Sequence, residues 1–177
     1  AVFDGVIYFG SRDSLLYAVD DATGERKWAF QTSGEVRSTP AVVGDMVYFG
    51  SADSCFYAVD MATGREKWKH KTDGKVYSSP AVSQGVVYFG GKDGHLYALN
   101  ATTGQRKWSY EIDRPIESSP IVADGMVYFV GQDRKLYALD ITDGSQKWMY
   151  DDRNVYQSPV VLDGIVYFGG KNLYALQ

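Results

Sequence analysis

One interval governs this chain. Trp28, Trp68, Trp108 and Trp148 follow one another at steps of 40 residues. Tyr8, Tyr48, Tyr88, Tyr128 and Tyr167, in "VIYFG", "MVYFG", "VVYFG", "MVYFV" and "IVYFG", are spaced by 40, 40, 40 and 39. Pro40, Pro80, Pro120 and Pro159 keep the same count, each after a Thr or Ser. Self-similarity at this period means stacked structural units, because one unit alone cannot bury its apolar face.

Each period divides into four short segments. In the second they are "VRSTPAV" (36–42), "MVYFGS" (46–51), "CFYAVD" (55–60) and "REKWKHKT" (65–72), joined by Gly- and Asp-containing turns. The segments alternate with a period of two and carry no helical periodicity, so each reads as a strand. Four strands per roughly 40-residue unit is the pattern of a β-propeller blade. The expected fold is therefore all-β: a propeller of four-stranded antiparallel blades forming one domain over 1–177. Its repeats are expected near 1–34, 35–74, 75–114, 115–153 and 154–177. The first retains only Ala1-Val2 of its innermost segment, and the fifth reaches Gln177 before an outer segment or a Trp. Five blades with two imperfect edges is the simplest count; a half-ring of a larger or dimeric propeller is the alternative. Unpaired edges invite association, so both a monomer and an edge-paired homo-oligomer are consistent with the sequence.

Composition narrows the function classes. Aromatics make up 15% of the residues, led by 14 Tyr, and 19 Gly supply turns, which suits an all-β chain. With 18 basic against 22 acidic residues and no basic stretch, a nucleic-acid partner is disfavoured. Apolar runs are too short for a membrane span. The first residue is Ala1 rather than Met, so a processed product or a piece of a longer chain is expected. Cys55 is the only cysteine; it forms no intrachain disulfide and aligns with Leu15, His95 and Lys135 as an ordinary strand residue.

The phrases "AVDDATGERKW" (18–28), "AVDMATGREKW" (58–68), "ALNATTGQRKW" (98–108) and "ALDITDGSQKW" (138–148) resemble the tryptophan-docking motif of pyrroloquinoline-quinone-type repeats. Asn100 replaces the Asp in the third copy, and Asp143 the Thr in the fourth. The resemblance covers nearly the whole chain. It implies that each Trp packs between neighbouring blades, braced by the turn. The physics agrees: an indole buries a large apolar area while its N–H seeks an acceptor, and Gly24, Gly64, Gly104 and Gly144 suit positive φ. The resemblance also favours a periplasmic or cell-surface location.

Quinone-dependent members of that family stack a Trp on the cofactor beside Ca²⁺ and a catalytic Asp, and many add a disulfide between adjacent cysteines. Here all four Trp belong to the docking phrase, no Asp can be carried over as catalytic, and one Cys cannot make the disulfide. No cofactor is expected. His70 and His95 are too isolated for a zinc site. Asp13, Asp53, Asp93 and Asp133 recur between the second and third segments, where they read as turn caps rather than calcium ligands. No phosphate loop, nucleophile elbow or dinucleotide fingerprint is present.

Function on a repeat scaffold concentrates where the repeats disagree. Before the Ser-Pro or Thr-Pro pair stand Arg37, Tyr77, Glu117 and Tyr156, chemically the most varied position of the period. They lie under the variable loops "QTSGE", "KTDGK", "EIDRP" and "DDRN", beside Arg12, Lys92, Gln132 and Lys171 of the neighbouring turns. A mouth carrying Arg, Tyr and Glu suits a small polar ligand or a protein partner. Three classes follow: a non-catalytic recognition scaffold, which is the primary reading; a fragment of a quinone-dependent oxidoreductase; and a lectin-like propeller. The last requires the same polar-aromatic set in every repeat, which the four residues do not supply. If the indoles are frame, Trp68→Ala is expected to cost about 3–5 kcal/mol in a denaturation experiment; an unchanged transition would remove them from the frame.

Overall fold

The computed structural model describes residues 1–152 and 154–176. It contains five antiparallel meanders, four of four strands and a last one of three. The innermost strands are Val2–Phe3, Ala41–Val43, Ala81–Ser83, Ile121–Ala123 and Val160–Leu162. The second strands are Val6–Gly10, Met46–Gly50, Val86–Gly90, Met126–Val130 and Ile165–Gly169. The third are Leu15–Asp20, Cys55–Asp60, His95–Asn100, Lys135–Asp140 and Leu173–Leu176; the outer strands are Arg26–Gln31, Glu66–Lys71, Arg106–Glu111 and Gln146–Asp151. The all-β blade architecture is as the sequence predicts.

The innermost strand differs from the expectation. The sequence suggests an extended segment from Val36 through Val42, yet only Ala41–Val43 pairs with its neighbour. Ser38 explains the shortening. Its Oγ accepts from the Gly50 N–H at 2.8 Å and donates to the Gly50 carbonyl at 2.9 Å, so a side chain occupies both groups that a strand would use. Pro40, lacking an N–H, then marks where the strand begins. Ser118 treats Val130 in the same way, at 2.9 and 2.7 Å.

Burial follows the stacking. In the second and third sheets every residue of the second strand is buried, so both faces of the sheet are covered. In the fifth sheet the same strand alternates, and in the first only Tyr8 of that strand is buried. Four apolar cores join consecutive sheets, first to second through fourth to fifth. Among the described residues none joins the fifth sheet to the first, and the five sheets form an open arc. Phe9 is 42% exposed, whereas its counterparts Phe49, Phe89 and Phe129 are fully buried. Phe49 stacks on Tyr57 and takes the edge of Phe30 from the preceding sheet; Phe129 and Tyr137 take the edge of Tyr110 likewise. The Phe9–Tyr17 pair on the first sheet has the stack without the third ring.

Between sheets the indoles act as clips. Nε1 of Trp28, Trp68 and Trp108 donates to the carbonyls of Met61, Ala101 and Ile141 at 3.0, 3.0 and 3.1 Å. Trp148 packs against the last core. A register shift after Ala18, Ala58, Ala98 and Ala138, each opposite its Trp, marks a bulge at every clip. The turns that receive the indoles are preset. Asp60 Oδ1 accepts from the N–H groups of Ala62 and Thr63, while Lys67 sits 3.0 Å from its other oxygen. Asp20 is arranged in the same way with Ala22, Thr23 and Lys27, on a turn that receives no indole.

These turns generate two expected outcomes. Gly24 and Gly64 share a positive φ, +74° and +69°, but a Cβ on Gly24 meets nothing while one on Gly64 would lie 2.7 Å from the Trp28 ring. Gly24→Ala is expected to cost about 1–2 kcal/mol from the backbone alone. Gly64→Ala should cost a further ~1–3 kcal/mol for displacing the indole. Equal costs by urea denaturation would contradict the clip. For pH, the turn N–H of Thr23 and then Lys27 hold Asp20 down to about 2, and Lys67 and then Thr63 do the same for Asp60, from an ordinary 3.8. A folded pKa below the unfolded one gives stability that is present above the unfolded value and lost as pH falls toward the folded one. Stability should therefore drop between about pH 4 and pH 2, and less steeply in a double Asp20→Asn, Asp60→Asn variant followed by circular dichroism.

Candidate recognition rim

The turns between second and third strands and the loops entering the innermost strands lie at one end of the blades. Arg37, Tyr77 and Glu117 open the inner segments of the second, third and fourth sheets there. The structure links them through a residue of the neighbouring turn. The Arg37 guanidinium is held by Glu35 at 2.5–2.6 Å and lies 5.1 Å from the centre of the Tyr77 ring. Lys92 Nζ lies 5.4 Å from the same ring and 2.7 Å from Glu117. The row therefore reads Glu35, Arg37, Tyr77, Lys92, Glu117, with a phenol between two cations, each held by a carboxylate.

Tyr156 is not part of that row. It is 57% exposed and lines a cleft of about 370 Å³ between the fourth and fifth sheets. Glu117, Ser118, Gln132 and Arg134 line the same cleft, above the buried Val155. Glu117 is thus the hinge between the charged row and the cleft. Gln132 faces this cleft as well, whereas Arg12 and Lys171 are exposed on their turns. Of the loop "DDRN", Arg153 lies outside the described residues.

Energetically the row is weak and ordered. Exposed ion pairs contribute about 0–1 kcal/mol and an exposed cation–π contact about 0.5–1 kcal/mol. Such contacts position side chains more than they hold a fold. The Glu117 carboxylate, donated to by Lys92, pushes the lysine above its ordinary pKa and keeps it charged.

The other polar positions have structural employment. Asp53 accepts from the Cys55 N–H at 3.0 Å, the Tyr57 hydroxyl at 2.7 Å and the Ser33 N–H of the incoming loop at 3.0 Å. Asp93 does the same with His95, Tyr97 and Asp73. Burial first, and then these carboxylates, push the Tyr57 and Tyr97 phenols well above the usual range. His95 Nδ1 is buried without a hydrogen-bond partner, 3.7 Å from Asp93. His70 packs edge-on against Tyr97, and burial lowers its pKa. Among the described residues no three His, Cys, Asp or Glu side chains are grouped to hold a metal ion. Among the described residues no helix is long and apolar enough to cross a membrane. Trp28, Trp68 and Trp108 are committed between sheets, and no indole lines the cleft beside Tyr156.

One device escaped the sequence reading. The N–H groups of Thr39, Ser79 and Ser119 donate to the hydroxyls of Ser79, Ser119 and Ser158 at 2.8, 3.1 and 2.9 Å. The residue before each proline therefore joins one inner segment to the next. Its recurrence at 40, 40 and 39 residues was the available signal.

The family model described as outer membrane protein assembly factor BamB matches residues 1–79 and 57–177, together the whole chain. The chain belongs to the BamB-type pyrroloquinoline-quinone repeat family. Among curated proteins none matches it. Solved structures do. The computationally designed Ika8 protein is 20% identical with a TM-score of 0.88, over 99% of this chain and 56% of that one. BamB from Moraxella catarrhalis is 18% identical with a TM-score of 0.69, over 98% and 70%. Quinohemoprotein alcohol dehydrogenase ADHIIG from Pseudomonas putida HK5 is 18% identical with a TM-score of 0.82, over 99% and 39%. These identities establish a shared BamB-type fold and no activity, and the chain spans little more than half the length of the first. At the rim, Lys92→Met is expected to alter stability by less than about 1 kcal/mol, while shifting the Tyr77 ring signals in an NMR spectrum. A larger loss of stability would make the row structural.

Proposed function

We propose that this BamB-family arc is a non-catalytic recognition scaffold and that it binds a protein partner through the rim of Arg37, Tyr77, Glu117 and Tyr156. One observation carries the reading: the position that differs most between repeats supplies the linked row from Arg37 to Glu117, and this row runs into the cleft beside Tyr156. Tyr and Arg give large contact area at modest ordering cost, and the weak internal pairs can exchange for a partner's charges. The family's description supports a protein partner and a periplasmic or cell-surface setting. The 370 Å³ cleft also has room for a small polar ligand or for one side chain of that partner.

The test is partner capture from a periplasmic extract by the wild-type chain, Tyr77→Ala and Glu117→Lys, followed by mass spectrometry. A protein retained by the wild type and reduced at least tenfold by either variant is the expected result. Equal capture by all three would relocate the site. A titration with pyrroloquinoline quinone and Ca²⁺ examines the enzymatic alternative, and a saturable absorbance change would replace the scaffold reading.

A further inference from the structure

The opposite end of the blades carries a second place where the repeats disagree. After the capping Asp or Asn, the docking turns continue with Asp21, Met61, Ala101 and Ile141. Met61 packs against the core between the first and second sheets, and Ile141 against that between the third and fourth. Between the second and third sheets the corresponding residue is only Ala101. A cleft of about 420 Å³ lies there, lined by Met46, Tyr48, Val43 and Val82 together with Ala101.

Two more departures border the same cleft. Ser83 stands where the other sheets place Phe3, Val43, Ala123 and Leu162. Gln84 stands where Asp4, Asp124 and Asp163 occupy the same positive-φ turn position. Ala101 leaves out the bulk of Met61 and Ile141, Ser83 is smaller than Phe3, Val43 and Leu162, and Gln84 puts a neutral amide where three other sheets carry a carboxylate. The remaining charges at the edge are Lys67, held by Asp60 at 3.0 Å, and Asp45, which forms no ion pair among the described residues. The uncompensated charge is thus negative, and the floor is apolar.

We propose that this cleft is a binding site for a small amphiphilic amine. Its branched aliphatic or thioether body takes the place that the Met61 and Ile141 side chains fill elsewhere. Its ammonium group faces Asp45, with the Gln84 amide and the hydroxyls of Ser83 and Thr102 as neutral partners. The site is separate from the rim and does not depend on what the rim binds. The ligand would sit on the clip itself, because Tyr48 and Trp68 both donate to the Ala101 carbonyl, at 3.2 and 3.0 Å.

The experiment is an NMR titration of the wild-type chain with 3-methylbutylamine and, separately, 3-methylbutanol, reading the Trp68 indole N–H. A saturable shift is expected with the amine, and binding of the alcohol at least about tenfold weaker, as for a lost charged hydrogen bond. Asp45→Asn should bring the two ligands together. Ala101→Met, which places in the cleft the residue the chain already carries at 61, should abolish binding; Ser83→Leu narrows the same cleft should the first variant fold poorly. Absence of a saturable shift, or amine binding undiminished in both filling variants, overturns the site. Equal binding of amine and alcohol by the wild type overturns the ammonium assignment.

Discussion

The structure depends on one contact repeated three times: an indole laid on a glycine turn, its N–H on a carbonyl of the next sheet. Each sheet is too thin to hide both faces, so it is stable only when its neighbour covers it. The indole supplies apolar area across the gap, and its hydrogen bond fixes the distance and angle at which the sheets meet. The turn has to be ready beforehand, which is the work of Asp60, Asn100 and Asp140. The neutral Asn100 is informative here. It still accepts from Thr102 and Thr103 at 2.9 Å, so the turn needs an oxygen acceptor rather than a charge.

From this contact follow both the regularity of the middle and the exposure of the ends. Where a sheet has two neighbours, its second and third strands are buried on both faces. Where it has one, Phe9 on the first sheet and Leu173 on the last, at 42% and 78%, stand in solvent. An arc held by pairwise clips has no device that makes it close on itself. Its curvature comes from the angle set at each clip, and that curvature matches a stretch of the longer designed protein. The serine ladder links the second sheet to the third, the third to the fourth and the fourth to the fifth, so the two middle pairs of sheets are pinned both outside and inside.

Most of this was legible in the sequence because repetition converts weak local signals into a strong one. A single Trp after an Asp-x-x-Thr-Gly turn says little; four at one spacing identify the frame. The innermost strand was misread because a side chain replaced backbone pairing. "RSTPAV" has the residues of a strand, and only the bonds from Ser38 to both backbone groups of Gly50 reveal why its first half is not one. The four rim residues were legible as a varied position, but not their linkage. Lys92 belongs to another loop, and nothing in the sequence states that its ammonium reaches both the Tyr77 ring and Glu117.

The cleft at Ala101 shows why variation in a repeat has to be read by location. Positions 37, 77, 117 and 156 vary at an exposed mouth, where change is tolerated and also useful. Position 101 varies inside a clip, where the frame prefers bulk, as Met61 and Ile141 indicate. A small residue at a buried position forgoes packing that its neighbours enjoy, and dispersion lost to an empty space is not recovered elsewhere. Ala101 and Ser83 make that concession together, and Gln84 sets a neutral amide beside them, around one opening. Independent drifts would scatter over the period, whereas a shared purpose would gather them, and gathered is how the fold presents them.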